Sequence, residues 1–279
     1  MKNKKATHDF TVDNLPKNRR EVFKTCYKLF FKKILTLGFL LLLFSLPLLV
    51  TTFVCDYISV GLKELYLASS LTEVEYHKNL FWLRMICSGV NIVGTIVLLI
   101  GISGGMKVVR QMVWDEPVFL ISDFFDGIKQ NFKTFLIIGI FMGLINVYNV
   151  FVLSVDLSTV FLQYIPFGAE VAFLFPILLY VSSQSIVYKN TFRGMSKNGF
   201  IFTIKKFPLT MLFVLAFTLL LGAHLISFIV IKYILLFLII LFVVPLFIIV
   251  WELFSFSVFD KFINQVNHPE IYKKGIYKR

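Results

Sequence analysis

Five residues set in apolar surroundings carry side chains that could hold a polar ligand: Asn91, Asn146, Asn149, Glu170 and His224. An amide, carboxyl or imidazole at such a place faces the interior of a helix bundle or a wet cavity. Asn146 and Asn149, three apart, share one helix face. Two arrangements account for the set: hydrogen-bonded links between neighbouring helices, or the lining of a pocket open to the outer side of a membrane. A second pattern, Gly101-Ile102-Ser103-Gly104-Gly105, has the nucleophile spacing G-x-S-x-G, for which His224 offers a base. The strand-turn-helix setting of that motif is missing. Depth also separates the two residues. On the topology below, Ser103 lies within about 5 Å of the inner boundary and His224 roughly 10 Å from the outer one, at ~1.5 Å per residue. In a hydrocarbon layer about 30 Å thick they are out of hydrogen-bond reach, and no residue is assigned a catalytic role. The four histidines and three cysteines show no ligand spacing, and no Gly-rich loop precedes a Lys with Ser or Thr, so neither a metal nor a cofactor is expected. Glu252, near the inner end of the last apolar run, reads as a carboxylate that snorkels or meets a lysine.

The elements that position these residues are membrane helices. A chain of 279 residues that is 58% apolar, 17% aromatic and only 16% charged cannot cover itself with a water-facing surface. Apolar runs at 34–53, 87–106, 135–153, 167–187, 209–231 and 234–256 predict an all-α, polytopic membrane bundle of six transmembrane helices in three hairpins. Lys232-Tyr233 is the polar interruption that divides the last two. A basic segment 1–33 precedes the membrane domain 34–256, whose outer loop is 54–86 and whose inner loops are 107–134 and 188–208; a basic tail 257–279 follows. Of the 28 Lys and Arg, 24 fall on one side of this alternation, which places both termini in the cytoplasm. The net charge of +12, spread in short blocks, suits anionic lipid headgroups and not nucleic acid. The first run ends in Leu48-Leu49-Val50-Thr51-Thr52 with no small-residue cleavage site, so it reads as a retained helix.

The inner loops are patterned. Ser122 is placed to cap a helix with Phe124, Phe125, Ile128 and Phe132 on one face and Asp123, Asp126, Lys129 and Lys133 on the other, an amphipathic helix lying in the cytoplasmic interface. The tail repeats the design with Phe259, Phe262, Ile263 and Val266 before Pro269. Asp115, Glu116, Asp123 and Asp126 would give the first inner loop an acidic surface for docking a basic partner. Gly101 with Gly105, and Gly139 with Gly143, predict a close contact between the second and third spans. Pro47, Pro176 and Pro245 lie inside spans and invite kinks. Cys55 and Cys87 meet at the outer ends of the first two spans, either as a disulfide or as two free thiols. Ser103 to Gln111 also lies over Ser182 to Asn190 at an offset of 79, and Ile128-Lys129 over Ile204-Lys205 at 76; a duplication and independent basic-aromatic helix starts both account for this.

The stretches SLPLLVTT from Ser45 and VVRQMVWDEPVFLISDFFDGIKQNFK from Val108 resemble the YesL-like family of bacterial integral membrane proteins, a domain of unknown function. The matching positions are Pro47, Thr51, Arg110, Asp123, Phe124, Phe125, Lys129, Asn131 and Phe132. The resemblance implies about six helices, a Gram-positive plasma membrane, no established activity and, for some members, a setting among carbohydrate-uptake systems. The first expectation is therefore a non-enzymatic plasma-membrane protein accessory to uptake or sensing of a carbohydrate or similar polar solute, acting through a transporter permease or sensor kinase. The alternative is a self-sufficient small-solute transporter or channel, and an intramembrane lipid-acting enzyme ranks third. A homo-oligomer is compatible with each.

Overall fold

In lipid every backbone polar group must be satisfied within its own segment, so apolar runs without strong breakers propagate as long helices. The computed structural model describes residues 15–154, 160–222, 226 and 228–277, and among them every regular element is helical. Helix α1, Arg19–Leu67, starts where the Asn18 side chain accepts from the Glu21 N–H at 3.0 Å, and it absorbs Pro47 without breaking. A capping box between Thr72 and Glu75 opens α2, Glu73–Val113. Next come α3, Leu120–Ser154, and α4, Val160–Ala169, which passes through a π turn at Glu170–Leu174 into α5, Phe175–Val187. Helices α6, Phe192–Lys205, and α7, Phe207–Leu221, meet at a bend of 101°. Helix α8, Ile229–Leu238, continues through a π turn at Ile239–Val243 into α9, Val244–Phe259, and on through a second π turn at Asp260–Asn264 to the short α10, Gln265–Asn267. Five of these helical stretches are long and apolar enough to cross a membrane, or six if the bent α6 and α7 form one span. The protein is a multi-pass helical membrane protein. Along α1, Phe39, Leu43, Leu46 and Val50 point outward, as lipid-facing side chains do.

Helix α2 is the hub, packed against α1, α3, α5 and α9. A methyl group at Gly139 would lie 2.9 Å from the Ile96 Cα, and one at Gly143 2.9 Å from the Ile92 Cγ2, so α3 lays its glycines directly on α2. The predicted pair on α2 does not return this contact, although Gly104 between them does, since a methyl there would lie 2.6 Å from the Phe124 carbonyl oxygen of α3. Gly101 faces Phe44 and Gly105 faces Leu37 and Leu41, all on α1. The second and third spans do touch, but one glycine pair makes that seam and the other makes the seam with α1. Gly38 makes another close approach. Pro245 has no N–H to return to the Leu241 carbonyl, the backbone widens into a π turn, and a methyl at Gly38 would lie 2.0 Å from that carbonyl oxygen.

Four readings of the sequence are corrected. The inner loop contains no separate interfacial helix: nothing between Lys133 and Phe135 breaks the backbone, so α3 runs unbroken from Leu120. Its start is capped by Asp123, whose carboxylate accepts from the Phe119 N–H at 2.6 Å, and not by Ser122; Phe124 is wholly buried while Phe125 and Phe132 are exposed. The tail segment likewise continues the last span in one helical stretch, with Phe259 in the core and Val266 exposed. The division between the last two spans lies between Leu221 and Ile229, not at Lys232-Tyr233, because Lys232 is buried inside α8 with its charge met by Asp56 at 2.6 Å. The proposed repeat loses its register: α2 and α5 end at Val113 and Val187, 74 apart, while α3 and α6 begin at Leu120 and Phe192, 72 apart. Moreover α3 runs straight where α6 stops before Pro208.

The two ends of the bundle are secured differently. At one end Cys55 and Cys87 are joined by a disulfide between α1 and α2, and Asp56 accepts from Lys232 and, at 2.9 Å, from Tyr233. At the other end the tail folds back beside the start of α1: the Tyr277 N–H donates to the Pro16 carbonyl at 2.9 Å.

Candidate functional site

Asn146 and Asn149 lie on the face of α3 that turns toward α4, α5 and α7. Opposite them Pro176 denies its helix one backbone hydrogen bond, and the π turn at Glu170–Leu174 precedes it. A π turn adds a residue to the turn and re-aims its side chains, and here it presents Glu170 to α3. The Asn149 amide donates to the Glu170 carboxylate at 2.7 Å. Asn146, Asn149 and Glu170 then line one partly open cavity of about 240 Å³, together with Phe167, Phe175 and Phe217 and with Thr218 of α7. The rings of Phe175 and Phe217 stack at 5.2 Å. The Thr218 hydroxyl donates to the Val214 carbonyl at 2.8 Å, which leaves its oxygen free to accept. The volume is below the range of about 300–1,000 Å³ usual for drug-sized ligands, so it suits a small solute.

The remaining members of the predicted polar set lie elsewhere. Asn91 is 9% exposed and accepts from the Thr51 hydroxyl at 2.5 Å, a link between α1 and α2 outside the cavity lining. His224 lies outside the described residues. Ser103 is buried and donates to the Ile100 carbonyl of its own helix at 2.6 Å.

Three of the four carboxylates expected to dock a partner are engaged within the molecule. Asp115 accepts from the Tyr277 hydroxyl at 2.9 Å, Glu116 from Lys274 at 2.5 Å, and Asp123 caps α3; Asp126 is only half-buried. The hydrogen bond from Tyr277 to Asp115, helped by partial burial, holds that phenol above its ordinary pKa. The tail is fixed further by Asp260, which receives Arg19 at 2.8 Å, Asn264 at 2.9 Å and the Lys273 N–H at 3.1 Å. Gly275 takes a φ of +78°, and a methyl there would lie 2.1 Å from the Val113 carbonyl oxygen, so the tail seats directly on the end of α2.

One buried polar group differs from its sequence reading. Glu252 does not snorkel: it is 0% exposed, accepting from the Ser183 hydroxyl at 3.1 Å, while the Trp251 indole N–H donates to the Ser183 oxygen at 2.9 Å. Its second oxygen, like the Arg110 Nε and the Gln111 Oε1, finds no hydrogen-bond partner among the described residues. The signal was present in the spacing, since Ile248, Ile249, Glu252, Phe256 and Phe259 follow one helical stripe and all are buried. Comparison of the chain with family models, curated proteins and solved structures gave no match.

Proposed function

We propose that this protein is a non-enzymatic, six-span plasma-membrane protein that binds a small polar solute in the cavity between α3, the α4–α5 unit and α7, and moves or senses that solute. The observation that carries this reading is the convergence of Asn146, Asn149 and Glu170 on one cavity wall from two separate helical segments. Polar groups brought together at membrane depth mark solute pathways. Two π turns and the 101° bend supply the interrupted helices on which such proteins move. The six-span count is supported by the contact of Tyr277 with Pro16, which requires an even number of crossings between them, and α7 is the helix that completes it. The 24 of 28 basic residues on the termini side support a cytoplasmic location for that end, so the cavity lies in the outer half of the membrane.

The accessory role loses the docking surface first assigned to it, because three of its four carboxylates are occupied by the chain itself. The resemblance to YesL-like proteins is compatible with solute binding and keeps carbohydrates among the solutes to be tried. The test is ligand-dependent thermal stabilisation of the purified chain, with flux measured in liposomes, against a panel of sugars, polyols and amines. Asn146→Leu/Asn149→Leu should abolish both responses, and flux that survives this pair would remove the cavity from the pathway.

A further inference from the structure

Within that reading, the hydrogen-bond inventory of the cavity specifies the ligand further. Asn149 spends an amide hydrogen on Glu170, leaving its own carbonyl as an acceptor. Thr218 spends its only hydrogen on Val214 and likewise presents lone pairs. Glu170 contributes a carboxylate with one neutral partner, and among the described residues no Lys, Arg or His lies within ion-pair distance of it. The buried Lys232 of α8 is committed to Asp56. The amides of Asn146 and Asn149 supply further donors, and the one charged side chain in the described lining is the Glu170 carboxylate. The rest of its lining includes the phenyl rings of Phe167, Phe175 and Phe217, whose faces attract cations and whose area suits a short apolar body. A neutral solute would leave that carboxylate without a counter-charge, and an anion would be repelled.

We infer that the cavity is a binding site for a primary ammonium group, held by Glu170, the Asn149 carbonyl and Thr218 against the phenylalanine rings. This rests on the solute-binding reading and narrows it to one ligand chemistry. Two sources present that chemistry. One is a free alkylamine from the outer side. The other is the ethanolamine headgroup of a membrane lipid, for which a second cavity sharing Glu170 and Leu174, and lined otherwise by Pro166, Ala169, Phe173 and Ile177, provides an adjoining apolar groove.

The experiment uses the full chain in phosphatidylcholine nanodiscs, titrated with n-butylamine at neutral pH, with 1-butanol as its uncharged counterpart and glucose as the neutral solute. Butylammonium should stabilise the protein where butanol does not, a comparison that needs no variant. Glu170→Gln keeps the side-chain shape and a bond to Asn149 while removing the charge, and should weaken butylammonium binding at least about tenfold. In discs containing phosphatidylethanolamine, native mass spectrometry should show that lipid retained by the wild type and lost from Glu170→Gln if the lipid is the source; retention equal in both proteins, with no butylammonium response, overturns the assignment. Stabilisation by glucose but not by butylammonium overturns the ammonium assignment and leaves the solute cavity standing. A wild-type chain that responds to butylamine, glucose and phosphatidylethanolamine not at all overturns both.

Discussion

At the scale of single residues, the close helix contacts turn on hydrogen atoms standing where a methyl group would otherwise be. Gly38 and Gly61 both belong to α1, yet their surroundings are opposite. A methyl at Gly38 would sit 2.0 Å from the Leu241 carbonyl oxygen, which is backbone and cannot swing aside, whereas one at Gly61 would meet nothing within 4 Å. Gly38→Ala should therefore lower stability by about 1–3 kcal/mol through forced separation of α1 from the α8–α9 unit. Gly61→Ala should raise it by roughly 0.5–1 kcal/mol through helix propensity alone. Thermal unfolding in one detergent measures both, and equal shifts for the two would show that α1 does not rest on the π turn.

At the scale of elements, the recurring device is a proline that leaves a carbonyl without its α-helical partner and a π turn just before it. At Pro245 the result is a seat for Gly38; at Pro176 it is the presentation of Glu170 to α3. Adding the missing N–H by Pro176→Ala allows the turn to close to ordinary α-helix, which re-aims Glu170 by up to about 100°, the rotation of one residue. The expected outcome is loss of ligand-dependent stabilisation with little loss of ligand-free stability. A variant that still binds as tightly as wild type would show that the π turn does not aim the carboxylate. The element level also shows why α7 alone is too short to cross a membrane: at 15 residues it is about 22 Å long, short of a hydrocarbon layer of ~30 Å, and it meets α6 at a sharp bend.

At the scale of the whole molecule, the bundle is closed at one end by a disulfide and an ion pair and at the other by the chain's own tail. Asp260 gathers Arg19, Asn264 and the Lys273 backbone, while Lys274 reaches Glu116 and lies over the Trp114 ring at 4.6 Å. Asp260→Ala removes the group common to three of these links. Trypsin should then cut at Lys273 and Lys274 at least about tenfold faster than in wild type, since cleavage follows the population of the opened tail. Unchanged cleavage would assign the docking to the Gly275 seat alone. The same tail should loosen in alkali. Because the folded state holds the Tyr277 proton to a higher pH than the free tail does, this contribution is complete below the ordinary tyrosine value and fades as pH rises through the raised one.

Composition, apolar run length and charge alternation were enough to read a multi-pass helical membrane protein from the chain, because the bilayer imposes a length on each span and the backbone has no other way to satisfy its polar groups. The face shared by Asn146 and Asn149 was equally legible, since helical spacing is local. Tertiary structure decided what spacing leaves open: which neighbour each glycine meets, that Glu170 and not Asn91 joins the asparagine pair, and that Asp115 and Glu116 serve the tail. It also moved the last span boundary, because a buried lysine reads as a break until its partner Asp56, 176 residues earlier, is seen beside it. Local sequence fixes periodicity and length, while the cost of a buried charge or an added methyl is set by atoms far away in the chain.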